Sequence, residues 1–205
     1  MENKRIMFVG PSGIGKTTLA KFISEQYGIP FISGSYSDLV PSTREVRHEE
    51  MMEKPFSVLY NEEQKLFFKR ANTFGECSAN NASFVSDRSY VDNMAYFIYK
   101  LSAHLPKCET ESFEDVVKHA LERDCTHIIY MKCTNDILDS WVVEDNNKRI
   151  LNPYFQWMIS NIMGELLTRW SSTDFIQDVG ISVLTLNSRD LVTNQKAIKK
   201  FLKWN

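Results

Sequence analysis

Three glycines, a lysine and two threonines crowd into FVGPSGIGKTTLA, Phe8 to Ala20. Gly10, Gly15, Lys16 and Thr17 have the spacing G-x-x-x-x-G-K-[ST]. Glycine is costly inside a strand or helix, so its use here implies a backbone that something must approach closely. A polyphosphate is such a thing. It needs several consecutive backbone N–H groups turned toward it, and side chains at Gly10, Gly13 or Gly15 would obstruct that wrap. The residues expected to line it are Gly10, Ser12, Gly13, Ile14, Gly15, Lys16, Thr17 and Thr18. Lys16 supplies a mobile cation for the β- and γ-phosphates, and the Thr17 hydroxyl can ligate Mg²⁺. The stretch therefore implies a nucleoside triphosphate site, with ATP and Mg²⁺ as the expected pair.

A second constellation stands in FVSDRSYVDNMAY, Phe84 to Tyr96, where Asp87 and Arg88 close an apolar run. An aspartate at a strand end can hold a metal through water or accept a proton from an attacking hydroxyl. An adjacent arginine can clamp a phosphate or the transferring group. Both roles belong to phosphoryl transfer, with Lys16, Asp87 and Arg88 catalytic and Thr17 and Asp87 at the metal.

These residues need a scaffold. Ile6–Val9 reads as a short buried strand, and Leu19, Phe22, Ile23 and Tyr27 mark one face of a helix ended by Gly28. Ile29–Ser33 is expected as the second strand. Asn61 with Gln64 is expected to cap a helix reaching about Phe74. Phe84–Asp87 is the third strand, followed by a helix through Leu101. Ser112 with Asp115 is expected to cap the next helix. Thr126–Cys133 is the fourth strand, Asn152 and Pro153 open a long helix to Trp170, and Ile181–Leu186 is the fifth strand before a last helix. Five apolar runs separated by helices imply a doubly wound α/β domain with a five-stranded parallel sheet. One domain is expected over residues 1–205. The polar stretches 33–52 and 134–151 are long enough to be functional loops, the second a small lid.

The glycine-rich loop, the Asp-Arg-Ser at a strand end and the chain length resemble the P-loop nucleoside and nucleotide kinases. That group includes thymidylate, deoxynucleoside and nicotinamide riboside kinases. D-R-S-x-x-D-N-x-A-Y, Asp87 to Tyr96, is similar to phage and bacterial kinases of the thymidylate-kinase-like type, some of which act on modified nucleotides or on hydroxymethyluracil in DNA. The resemblance implies metal or acceptor activation for Asp87 and phosphate binding for Arg88. It also implies a basic lid in Val142–Pro153, where Arg149 is favoured over Lys148 because a guanidinium holds a phosphoryl group by two bonds. Tyr36, Asp38, Arg44, Arg47, Gln64 and Phe68 are candidates for the acceptor pocket. Ser89 and the loop's Pro-Ser-Gly-Ile depart from thymidylate kinases.

Composition narrows the rest. Of 205 residues, 43% are hydrophobic and 24% charged, a balance that belongs to folded chains. A net charge of −2 gives no general field for nucleic acid or an acidic membrane. DNA is therefore the less favoured acceptor, against a nucleotide-type small molecule such as a deoxynucleoside monophosphate. No signal-like or membrane-length apolar run is seen, so a cytoplasmic protein is expected. The four cysteines have no metal-ligand spacing. A guanine-reading Asn-Lys-x-Asp is absent, which counts against a GTPase switch. A DNA-associated ATPase and a homodimer are left open.

Overall fold

The computed structural model describes residues 3–34, 53–135, 137 and 153–203. Its elements run β1 (Arg5–Val9), α1 (Lys16–Tyr27), β2 (Phe31–Ile32), α2 (Phe56–Ala79), β3 (Phe84–Ser86), α3 (Tyr90–Leu101), α4 (Lys107–Asp124), β4 (His127–Met131), α5 (Pro153–Ser172), α6 (Phe175–Asp178), β5 (Ser182–Leu186) and α7 (Leu191–Leu202). The strands form one sheet in the order β2-β3-β1-β4-β5, every pairing parallel. The doubly wound five-stranded expectation is met.

Strand alternation divides the apolar residues between two cores. Met7 and Val9 of β1, with Ile128 and Tyr130 of β4, face the core built with α2, α3, α4 and α5. Ile6 and Phe8, with Ile129 and Met131, face the core under α1 and α7. A parallel strand buried on both faces reads as a continuous apolar run, which is why IMFV and IIYM were legible.

Several boundaries differ from the expected ones. α2 starts at Phe56 behind Pro55, so Asn61 and Gln64 are interior residues. Proline with its fixed φ supplies a start that the capping pattern did not. α4 likewise starts behind Pro106, and the Ser112 hydroxyl donates back to the Cys108 carbonyl within the helix. β2 is two residues long rather than five, as suits an edge strand. α6 was not anticipated, being a single turn.

α3 begins with a reciprocal cap. Ser89 has extended backbone, its Oγ accepts from the amides of Val91 and Asp92, and Asp92 Oδ2 accepts from the Ser89 amide at 2.9 Å. Such a cap contributes about 0.5–2 kcal/mol.

Candidate active site

The glycine-rich loop joins β1 to α1 at the carboxyl edge of the sheet, where open α/β folds take their ligands. Gly10, Gly13 and Gly15 all have positive φ. Gly10 has a second reason to be glycine, since a Cβ there would lie 2.6 Å from the Met131 carbonyl oxygen. Gly15 precedes α1 with no side-chain cap, so the helix's first amides stay available to an anion. Ser12 is held on two sides. Its amide donates to Gln156 Oε1 of α5 at 2.8 Å, and its hydroxyl accepts from Arg88 Nη2 at 3.0 Å.

Lys16 folds back on this loop, its Nζ donating to the carbonyls of Gly10 and Pro11 at 2.6 and 2.7 Å. Burial, then the nearby Arg88, pull its pKa down to about 7. Thr17 Oγ1 donates to Asp87 Oδ2 at 2.6 Å, while Asp87 Oδ1 accepts from the Gly34 amide at 3.0 Å. A hydroxyl and a carboxylate in contact at the edge of a phosphate-binding loop are the hard oxygen donors that Mg²⁺ takes beside phosphate and water. They fit such an ion better than a cage would, and no cluster of three His, Cys, Asp or Glu exists among the described residues.

Arg88 is clamped between Ser12 and Asp92, with Nη1 donating to Asp92 Oδ1 at 2.9 Å. Burial opposes its charge, but Asp92 and the hydrogen bond to it carry the pKa above the ordinary arginine value. The spacing D-R-S-x-x-D thus folds so that one buried carboxylate both caps α3 and holds the arginine.

The structure adds residues that the sequence reading passed over. Arg70 of α2 is buried at the same edge, with Nη1 donating to the Ser89 carbonyl at 3.0 Å and to Asn93 Oδ1, and Nη2 to the Gly34 carbonyl at 2.6 Å. Burial lowers its pKa to about 10. Glu63 of α2 and Lys100 of α3 form a second buried pair at 2.5 Å. Three buried polar atoms on these facing helices, Glu63 Oε2, Arg70 Nε and Asn93 Nδ2, have no hydrogen-bond partner among the described residues. A signal was present: Glu63 and Arg70 fall on the buried stripe of Leu59, Leu66, Phe67 and Phe74. Charge at core spacing is the mark of a site or of a satisfied ion pair.

Of the expected residues, the structure brings together Gly10, Ser12, Gly15, Lys16, Thr17, Asp87 and Arg88. Gly13 and Ile14 belong to the same loop and Thr18 to the first turn of α1. Phe68 is 55% exposed, its ring edge-on to Phe67. It stands two positions from Arg70 and so faces nearly the opposite side of α2, away from this cluster. Gln64 is half-buried on the helix flank. Tyr36, Asp38, Arg44, Arg47, Lys148 and Arg149 lie outside the described residues, as does nearly all of the expected lid.

Against known proteins, an AAA-domain family profile matches residues 5–177. The chain belongs to that AAA-domain family. No curated protein sequence matches it. Among solved structures, this AAA domain is similar to deoxyadenosine kinase from M. mycoides with bound dATP, at TM-score 0.70 and 12% identity, covering 98% of this chain and 100% of that one. It is similar to NadR protein in complex with NAD and AMP-PNP at TM-score 0.61 and 13% identity, over 100% of this chain and 51% of NadR. YorR protein from Bacillus subtilis, in complex with phosphorylated GDP, matches at TM-score 0.51 and 15% identity, covering 97% and 94% of the two chains. These likenesses establish a P-loop NTPase fold for the AAA domain. No helix among its described residues is long and apolar enough to cross a membrane.

Proposed function

We propose that the protein transfers the γ-phosphoryl group of ATP to a deoxynucleoside or deoxynucleoside monophosphate, as a kinase of the nucleoside and nucleotide group. The observation that carries this reading is a second polar seat next to the phosphate loop. Arg70 donates to Asn93 and to the backbone carbonyl of Ser89, next to Asp87 and Arg88, yet both Arg70 and Asn93 keep a buried polar atom unpaired among the described residues. A switch or a bare ATPase has no use for such a seat, because leaving buried polar atoms unpaired costs about 1–3 kcal/mol each. An acceptor molecule would satisfy them. The bound nucleotides of the structural neighbours agree in kind, namely dATP, dCTP and dCMP in deoxyadenosine kinase.

In this reading the loop amides and Lys16 hold the β- and γ-phosphates, the ammonium leaving the Gly10 and Pro11 carbonyls to do so. Thr17 and Asp87 would hold Mg²⁺, which would supply positive charge against the phosphates. Asp87 also stands where it can accept the proton of an attacking hydroxyl, and Arg88, fixed by Asp92, faces charge developing on the transferring group. Arg149 remains the proposed second guanidinium from the segment before α5.

The test is mass spectrometry of products after incubation with ATP, Mg²⁺ and a panel of deoxynucleosides, their monophosphates and hydroxymethyluracil-containing DNA. A phosphate mass on one free nucleoside or nucleotide is expected, absent with Lys16→Ala. Asp87→Asn is expected to lower kcat by roughly 10²–10⁴-fold. Phosphate found only on DNA would reassign the acceptor, and ATP hydrolysis with no acceptor product would overturn the reading.

A further inference from the structure

We infer that Glu63 determines which base the acceptor seat takes, and that it selects cytosine or adenine, the bases with an amino group at the position where thymine and guanine carry a carbonyl oxygen; this rests on the kinase reading above. The facing surfaces of α2 and α3 carry two polar rungs, Arg70–Asn93 and Glu63–Lys100. Glu63 precedes Arg70 by seven residues on α2, and Asn93 precedes Lys100 by seven on α3. Seven residues are close to two full turns, so both rungs lie along the same antiparallel seam, about 10 Å apart along each helix. The charge of Glu63 is felt at Arg70.

The unpaired atoms of the seam have a definite chemistry. At the Arg70–Asn93 rung they are N–H donors, Arg70 Nε and Asn93 Nδ2. At the other rung the unpaired atom is Glu63 Oε2. Glu63 is 1% exposed, its Oε1 held at 2.5 Å by the Lys100 ammonium, which also sits 5.6 Å from the centre of the Tyr96 ring. A carboxylate paired with a lysine has lone pairs and no proton to give. The seam therefore accepts one hydrogen bond at one end and donates at the other.

A base that answers this pattern presents an N–H₂ group on one side and ring acceptors beside it. Cytosine offers its N4 amino group and adenine its N6 amino group. Guanine and thymine place a carbonyl oxygen, O6 or O4, at the corresponding position, which would set oxygen against the Glu63 carboxylate. A site built to pair a substrate's N–H rejects the analogue lacking it far more strongly than an apolar pocket rejects a methylene.

Matched acceptors isolate this term. 2′-Deoxycytidine is compared with 2′-deoxyuridine, and 2′-deoxyadenosine with 2′-deoxyinosine, each as nucleoside and as 5′-monophosphate, by kcat/KM with ATP and Mg²⁺. The amino member of at least one pair is expected to be favoured roughly 100-fold or more. Glu63→Gln, whose carboxamide can donate, is expected to bring that ratio to within about tenfold. Lys100→Gln, which frees the carboxylate from its clamp, is expected to lower it too. Equal or reversed wild-type preference overturns the inference, as does a folded Glu63→Gln protein that keeps the ratio. If neither variant folds, the wild-type ratios decide. Absence of transfer to every acceptor takes the kinase reading down with the inference.

Discussion

Lys16 is the residue at which the site's electrostatics become measurable. Its folded pKa, about 7, lies below the 10.5 of an exposed lysine because burial and Arg88 disfavour the ammonium. The unfolded chain therefore binds more protons between about pH 7 and 10.5, and this group's contribution to stability rises as pH climbs through that window. Phosphate reverses the preference by favouring the charged form. ATP binding near pH 8 is thus expected to take up close to one proton, seen as a calorimetric heat that differs between HEPES and Tris buffers. Lys16→Ala is expected to lose that difference, and a wild-type heat independent of buffer would refute it. Lys16 and Thr17, like Asp87 and Arg88, could be picked out as candidates because each pair stands in a short contiguous motif. Glu63, Arg70 and Asn93 were not, because each is an ordinary helical residue until two helices from distant parts of the chain are packed face to face.

Among the elements, α3 carries the connection between stability and chemistry. Its N-terminal carboxylate, Asp92, gives one oxygen to the Ser89 cap and the other to Arg88. The two duties are separable. Ser89→Ala is expected to lose about 1 kcal/mol of cap energy while kcat changes by no more than a few-fold. Asp92→Asn is expected to lower kcat by roughly 100-fold through a misdirected Arg88, with a smaller effect on KM for ATP. Equal kcat losses in the two variants at equal loss of Tm would make Asp92 a structural residue only. Element boundaries were the least legible feature. α2 and α4 start at prolines that a search for Ser, Thr, Asn or Asp caps overlooks, and two-residue β2 holds too little pattern to delimit.

For the molecule as a whole, the sheet divides labour between its faces. The face covered by α2 to α5 holds the aromatic cluster in which Phe74 stacks on Phe84 at 5.2 Å and meets Tyr90 edge-on at 5.5 Å. Phe74→Ala is expected to cost about 3–5 kcal/mol, roughly a fifth or more of the stability usual for a domain, read as a lowered urea midpoint. A loss under about 1 kcal/mol would mean the cluster repacks. The fold was legible from strand and helix periodicity because the central strands β1, β3 and β4 are buried on both sides. The meeting of α2 with α3 was not, since nothing local records which helix faces which. That meeting also bears on descent. A lineage that changed its acceptor by replacing Glu63 alone would remove the carboxylate that the buried Lys100 ammonium pairs with, and one that replaced Lys100 alone would remove the ammonium from the carboxylate. If Glu63 reads the base, substrate preference is inherited as a pair of codons, and a shift from one base to another must pass through an intermediate that is either less stable or indifferent to both.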